Sequence, residues 1–556
     1  MAATILRRMR RPTGTSRAWR WWASAAILAA SILLPASAPA TYLPNERIPT
    51  DDAIYRDLER LATRYGSSAR FLSSRPFRRK EALAYLEELG VQHPGAAVDP
   101  AYRRAMRGLD PDAPGGVHPL VSADGDDVER IELSPYASAL YSEDPRYHPE
   151  INRDYRVGLV MAGQLDTSSV FLADVYEGTA SQGGRGTPDF GDFNSLVQGV
   201  DFNSWVNEAY VAFPVSKLRV MFGHTWLRWG PGETGTLALS DAAPALDLLH
   251  FEGDLFRNFR YQQFVSLLDP GPQTYLAGHR LEWHASPRLW AGLTEMARFD
   301  GTSQAPLYLI PFVPYSFWEK RPKTGSVDPA DTSGERLLKN NVAWAADASW
   351  VLHPGCSVYG EFLLDDYSFS SDYKPDMIGY QAGLEWRRLL GSRNDERLAG
   401  EGSVASGILG HDAALGALLE YSRVHNYTYS VYHHHDFAFE GFPIGYVLGP
   451  DAQLLVGQAS LEWGANWELR LRGEYRRKGE GRLGDPWLKE DGEVDASAFQ
   501  GVAEKEVRIG GAVVYSPSRS LELSASVGAS GIENRDHVRA PEESLHPFSL
   551  SAKLAW

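Results

Sequence analysis

Three passages hold the residue types from which a binding site would be built. The first is Trp226 to Asp247, WLRWGPGETGTLALSDAAPALD. Trp226, Arg228 and Trp229 combine flat apolar rings with a guanidinium fork, a set able to stack on sugar rings and hydrogen-bond hydroxyls or carboxylates. Gly230, Pro231 and Gly232 break any strand there, because proline has no amide donor and glycine adopts backbone conformations other residues avoid. A tight structural corner suits the same residues. Asp247 counts with the binding candidates, and Ser240 with the glycines and proline as structural.

The second passage is Val424 to Asp451, VHNYTYSVYHHHDFAFEGFPIGYVLGPD. Asn426, Tyr427, Tyr429 and Asp451 read as an aromatic-lined recognition loop, with Gly449 and Pro450 as structural punctuation. His433, His434, His435 and Asp436 invite a metal reading. Three consecutive residues of an extended chain cannot all face one ion, and no second ligand cluster is evident, so no metal is assigned. The third passage is YLAGHRLEW, Tyr275 to Trp283, in which His279, Arg280 and Glu282 read as structural. Ser240-Asp241 and the scattered His224, His250 and His279 form no nucleophile elbow or triad spacing. Phosphate-cradling glycine loops are missing from the sequence. Hence no catalytic residue and no cofactor is expected.

These passages need a scaffold, and alternation supplies one. Phe548, Leu550, Ala552, Leu554 and Trp556 fall on one side of an extended chain, with Ser549, Ser551 and Lys553 on the other. Leu469, Leu471, Gly473 and Tyr475 alternate with Glu468, Arg470, Arg472, Glu474 and Arg476, and Val342 to Leu352 repeats the pattern. Runs of about ten alternating residues between turns are what a membrane β-barrel requires, apolar toward lipid and polar toward a wet lumen. Leu281 and Trp283 would then face lipid, Arg280 and Glu282 the lumen as an ion pair. Arg470, Arg472 and Arg476 would form a basic luminal row.

Eighteen extended runs begin near residues 131, 154, 168, 205, 217, 236, 261, 274, 288, 341, 356, 377, 411, 453, 467, 505, 520 and 547. Short connections, such as Asp166-Thr167 and Pro354-Gly355, alternate with long ones at 178–204, 298–340, 423–452, 478–504 and 531–546. Short turns face the periplasm in such barrels and long loops the outside. The segment at 391–410 and the brief link near Pro270 break the alternation.

Residues 1–40 read as a secretory signal with six arginines, an apolar run and a small-residue cleavage site near Ala38 or Ala40. The remainder carries 49 basic against 71 acidic side chains, a net charge of −22. That excludes nucleic acid as a partner, since phosphate binding needs basic surface. Cys356 stands alone and forms no internal disulfide. Residues 41–110 read as three short amphipathic helices: one capped by Asp51-Asp52 and ended by Gly66, one from Arg79 to Leu89 stopped by Gly90, one opened by Asp99-Pro100. Their many arginines read as solvated. Residues 111–129 read as a linker and 130–556 as the barrel. The expected architecture is an all-β transmembrane barrel of about eighteen antiparallel strands with a small N-terminal α-helical periplasmic domain.

WGPG followed by LALSDAAPALD, then YLAGHRLEW, then HNYTY and GFPIGYVLGPD resemble, in that order, the capsule-assembly outer-membrane proteins of the Wzi type. YRDLERLATRYG and SRPFRRKEALAYL resemble that family's helical N-terminal region. The resemblance implies an eighteen-stranded outer-membrane barrel with a periplasmic helical bundle, acting as a lectin that anchors capsular or other surface polysaccharide. Arg78 departs from the small hydroxyl residue that relatives place before the second helix, and the 391–410 insertion is individual. The alternative is a diffusion porin or sugar channel whose 298–340 loop constricts the pore. Expected partners are surface polysaccharide and outer-membrane lipid; oligomeric state is open, with a monomer compatible.

Overall fold

The computed structural model describes residues 43–70, 72–116, 119–124, 130–144, 151–178, 203–271, 273–319, 340–366, 375–390, 412–431, 435–488 and 491–555. The secretory signal, His433, His434, Trp556 and the 391–410 insertion lie outside the described residues.

Eighteen antiparallel strands close into a barrel. In chain order they are β1 Arg130–Glu143, β2 Ile151–Gln164, β3 Val170–Gly178, β4 Asn203–Val215, β5 Leu218–Thr225 and β6 Leu246–Phe256. Next come β7 Phe259–Asp269, β8 Thr274–Ser286, β9 Leu289–Asp300, β10 Asn340–His353, β11 Cys356–Asp366 and β12 Met377–Leu389. The ring is completed by β13 Ala413–Val424, β14 Ala452–Trp463, β15 Trp467–Lys478, β16 Glu504–Ser518, β17 Leu521–Glu533 and β18 Phe548–Ala555. Closure runs from Phe548 opposite Glu143 to Ala555 opposite Tyr136.

Seventeen strands start within a few residues of the expected positions. The exception is β6, expected near 236 and found at Leu246. Leu237 and Leu239 alternate as a strand would, but both are buried inside the lumen, where the Gly-Pro-Gly break has already turned the chain off the wall. Both departures from the loop-length rule persist, since β7 and β8 flank the short link at Pro270 and β12 and β13 flank the insertion. Residues 121–124, assigned to the linker, instead form a short strand against Arg130 to Leu133 of β1.

The side-chain period of two sorts the wall. Val157, Leu159, Met161, Leu293, Trp350, Val527 and Leu550 are exposed on the outer face. Arg280, Glu282, Asp347, Glu361, Gln381 and Glu420 alternate inward and are buried. An apolar outer face around a polar interior is the mark of a membrane-spanning barrel.

Among the described residues three α-helices precede it: α1 Ala53–Tyr65, α2 Arg79–Gln92 and α3 Pro100–Leu109. Asp52 caps α1 by accepting from the Ile54 amide at 2.9 Å, and Gly66 ends it at φ 74°. Asp99 caps α3 in the same way, accepting from the Ala101 amide, with Pro100 at the first helical position. Gly90 does not stop α2, which runs on to Gln92; a Cβ there would stand 2.9 Å from the Tyr102 hydroxyl, so the glycine makes room for α3. Arg78 serves the start of α2 without a hydroxyl, since its amide and its guanidinium both donate to Glu81. Ile54, Leu58, Leu61, Leu86, Leu89, Ala105 and Leu109 share one core.

This helical region is bonded to seven short turns and to Asp412, at the edge of the insertion between β12 and β13. Asn45 donates to Thr167 O and accepts from Arg219 beside the β4–β5 turn. Arg70 reaches Arg257 O, Ser68 N reaches Pro287 O, and Gly355 N reaches Thr63 O. Arg103 meets Asp412, and Arg107 donates to both Ala465 O and Ser516 O. The domain therefore sits across the short-turn mouth as a lid. Four of its arginines are not solvated as expected: Arg60, Arg104 and Arg107 are buried or nearly so against carboxylates and carbonyls of the barrel rim, and Arg64 is buried between Asp99 of the lid and Glu462 of the rim.

Candidate functional site

Residues 226–245 leave the top of β5 and fold into the lumen. Their backbone has no ladder to join, so it is satisfied by others. Ser74 and Arg75 of the lid pair with Trp229 and Arg228 as a two-residue ribbon, and Gly230 N donates to Ser73 O. Glu361 accepts from the amides of Gly232 and Leu237 at 2.9 and 2.8 Å. Glu420 accepts from those of Glu233 and Thr234. Two luminal carboxylates on β11 and β13 thus hold the Gly-Pro-Gly turn. Gly230, at φ 129°, would place a Cβ 2.4 Å from Glu361 Oε1, which is why the position is glycine. Pro231 lies between these anchors.

That arrangement corrects the expectation for the aromatic pair. Trp229 is 1% exposed, edge-on to Phe264 at 5.4 Å, with its indole N–H donating to Gln262. Trp226 is buried and donates to Ala243 O at 3.0 Å. Arg228 donates to Asp241 at 3.4 Å and to Gly232 O, closing the turn on itself. Ser240 donates to Gly445 O. These side chains are core, with no ring face turned to solvent. Asp247 lies on the outer face instead, exposed and paired with His224 at 2.8 Å.

The second passage also folds inward, against the first. Tyr429 is buried, donates to Leu237 O at 2.7 Å and accepts from Tyr446 N. Asn426 is buried, accepts from Tyr427 N and donates to Gln500. Asp451 is buried and accepts from the amides of Gly481 and Gln500. Tyr427, Tyr429 and Asp451 have φ of 66°, 74° and 54°, a conformation costing roughly 1–3 kcal/mol each. Surrounding bonds impose it, among them Asp365 accepting from Tyr429 N at 2.6 Å. Gly449 carries φ 64° beside Pro450, whose carbonyl accepts from Lys478. These residues build a rigid luminal filling and are not a free recognition loop. His435 faces Asp300 at 2.8 Å and Arg298 donates to Ala438 O, tying the filling to β9.

Arg280 and Glu282 do face the lumen, as expected. Arg280 is bidentate to Asp347 at 2.5 and 2.9 Å, lies 3.6 Å from Glu282, and donates to Ser73 and Ser74 of the lid. The basic row is neutralised locally: Arg470 pairs with Glu468, Arg472 with Glu474, and Arg476 with Glu504 and Glu506. Arg470 and Arg472 stay half-buried, so they keep access to the lumen.

The filling occupies the side of the lumen walled by β6 to β14. On β15 to β18 and β1 to β3 inward side chains such as Arg470, Arg472, Ser524, Ser549, Tyr136, Arg156 and Tyr176 are half-buried, so a polar, water-accessible sector remains there, while Val170, Leu172, Tyr210 and Ala212 of β3 and β4 join the core. Its wall carries Tyr136, whose hydroxyl donates to Asp174 at 2.9 Å, and Arg156, whose guanidinium lies 5.0 Å from the Tyr176 ring. Asn207, the extra residue where β4 slips against β3, donates to Asp174 at 2.5 Å. Trp205, opposite Tyr176, faces the same space. Hydroxyl pairs Ser524–Ser551 and Ser526–Ser549, each at 2.7 Å, extend the wall toward Lys553. Aromatic faces, a guanidinium and paired hydroxyls and carboxylates are the groups that bind sugars. Of this set only Ser549, Ser551 and Lys553 stood out in the sequence; the inward parity of Arg156 and Tyr176 was the available signal for the rest.

No family model and no curated protein matches the chain. Among solved structures it is similar to Wzi, an outer membrane protein involved in group 1 capsule assembly in Escherichia coli and a carbohydrate-binding β-barrel. The TM-score is 0.59 at 16% identity, over 91% of this chain and 99% of that one. It is also similar to OprD of Pseudomonas aeruginosa, with a TM-score of 0.42 at 11% identity over 77% of this chain and 95% of that one. The Wzi likeness establishes a shared fold.

Proposed function

We propose that this barrel, built on the fold it shares with Wzi, resides in the outer membrane of a Gram-negative-type cell and binds surface or capsular polysaccharide in the open sector of its lumen. The observation that carries the reading is the pairing of that half-buried sector with a filled opposite side and a lid bonded around the short-turn mouth. A diffusion porin needs a continuous aqueous path, and this lid and filling disfavour one. The filling also gives the sector a rigid back wall, which lowers the ordering cost of binding. Arg156 over Tyr176, Tyr136 with Asp174, and Arg472 supply stacking and charge-assisted hydrogen bonds to hydroxyls or uronate carboxylates.

The test is glycan-array and calorimetric binding by the full mature protein in detergent. Tyr176→Ala and Arg156→Ala are each expected to weaken the best-bound glycan at least tenfold, about 1.4 kcal/mol, while heat-modifiable migration of the folded barrel is retained. Unchanged affinity in both variants removes the site. Absence of glycan binding together with steady conductance in a planar bilayer would favour the porin.

A further inference from the structure

The described part of the connection after β9 does not enter the lumen. These residues, 301–319, fold down over the outer face of β7 to β10. Tyr308 stacks on Phe299 at 3.7 Å, Phe312 lies 4.3 Å from the Tyr261 ring and Tyr315 lies 4.3 Å from the His279 ring. Phe299, Tyr261 and His279 all belong to the outward parity set, alternating with the luminal Arg280 and Gln262.

Beneath this flap the wall breaks its own apolar rule. Gln263, His279 and Glu295 sit side by side in register on β7, β8 and β9, facing outward. Glu295 is four residues from Phe299, which at a strand's rise and tilt puts it about 10 Å below the top of a band about 25 Å tall. A carboxylate facing acyl chains at that depth is costly unless paired. Here each polar group serves the flap. Glu295 accepts from the amides of Tyr315 and Ser316 at 2.7 and 3.1 Å and meets His279 at 2.9 Å. Gln263 donates to Tyr308 O at 2.6 Å, and the Tyr261 hydroxyl accepts from Phe312 N at 3.1 Å.

Irregular backbone at membrane depth is tolerated only where its polar groups are satisfied by protein, and this row does that work. The flap's other side fits lipid. Residues 305–318, APLYLIPFVPYSFW, contain no charged side chain. Ile310, Phe312 and Phe317 are 41%, 59% and 68% exposed, directly above the exposed Leu281, Trp283 and Leu293 of the wall. We propose that residues 305–318 are a lipid-immersed flap: the Gln263–His279–Glu295 row holds its backbone, and its exposed aromatic and aliphatic side chains contact the acyl chains of the outer leaflet.

The test uses the full mature protein in phospholipid vesicles, with Cys356→Ser as background and nitroxide labels at Phe312→Cys or Phe317→Cys. Controls are Leu293→Cys in the apolar wall and Asp536→Cys on the exposed outer end. Both flap labels are expected to match Leu293→Cys, accessible to oxygen and shielded from a water-soluble nickel chelate. Chelate access equal to that at Asp536→Cys would overturn the proposal, as would spin–spin broadening, which would assign the surface to a second copy. Adding Glu295→Leu, which keeps the wall apolar, is expected to move the Phe317→Cys label at least threefold toward chelate access, and Glu295→Gln to leave it in lipid. A label unmoved by Glu295→Leu would remove the role of the row.

Discussion

Glu462→Ala is the sharpest perturbation of the lid. The Glu462 side chain is fully buried at the lower end of β14, with Arg60 at 3.3 Å, Arg104 at 2.8 Å and Arg64 at 3.9 Å. One carboxylate therefore faces three guanidiniums from α1 and α3. Removing one partner of a buried ion pair costs roughly 3–5 kcal/mol, because the other charge is left unpaired. Arg60 keeps Glu468 and Asp57, Arg104 keeps Asp57, and Arg64 keeps Asp99, so the low end of that range applies. About 3 kcal/mol corresponds to roughly a hundredfold rise in the detached fraction. Hydrogen exchange in the vesicle-reconstituted protein should show α1 and α3 amides opening about a hundredfold more often, with the strands unchanged. Bilayer recordings should show brief openings that the parent protein lacks. Exchange in α1 and α3 within threefold of the parent, with no openings, would refute the assignment of Glu462 as the hub of lid docking.

The lid should also respond to acid. Burial pushes the Asp52 carboxyl up, but the Arg519 guanidinium, helped by the Ile54 amide, outweighs it and holds the group at about 2 against an ordinary 3.8. A folded value below the unfolded one means stabilisation that is complete above about pH 4 and lost as pH falls through 2, here about 2 kcal/mol. Lid exchange measured from pH 5 to 2 should accelerate in that window, and Asp52→Asn should reduce the amplitude of the change, the rest coming from Glu462 and Glu468, whose carboxylates lid arginines also pair with. Arg280→Ala leaves Asp347 and Glu282 facing each other in a buried lumen and should lower barrel stability by roughly 3–5 kcal/mol, read as a fall in the urea midpoint. Trp229→Ala should cost roughly 3–5 kcal/mol through the cavity it opens beside Phe264, while glycan affinity of the surviving folded barrel stays unchanged.

Strand positions and their lipid or lumen faces were legible because both follow from a local period of two. The helix starts at Asp52 and Asp99 were legible for a similar reason, since a cap is satisfied by a side chain reaching amides two residues on. Gly90 misled because a glycine that ends a helix and one that admits a neighbouring tyrosine are the same residue in a sequence. Trp226, Arg228 and Trp229 misled likewise: a binding loop and a luminal corner call for the same aromatic, guanidinium and glycine chemistry. What separates them is Glu361 and Glu420, more than a hundred positions away, whose carboxylates the barrel's curvature brings to the Gly-Pro-Gly amides.

By itself the chain's alternation determined a closed wall, its two faces and its helical preface, because neighbours along a strand decide which way each side chain points. The tertiary structure alone decided which loops fill the lumen, which luminal sector stays wet and which loop lies outside against the wall. Those outcomes depend on hydrogen-bond partners supplied from distant strands, such as Glu295 for the Tyr315 amide and Glu462 for Arg104. An unsatisfied amide or carboxylate carries no mark of its partner until the ring closes and sets the two side by side.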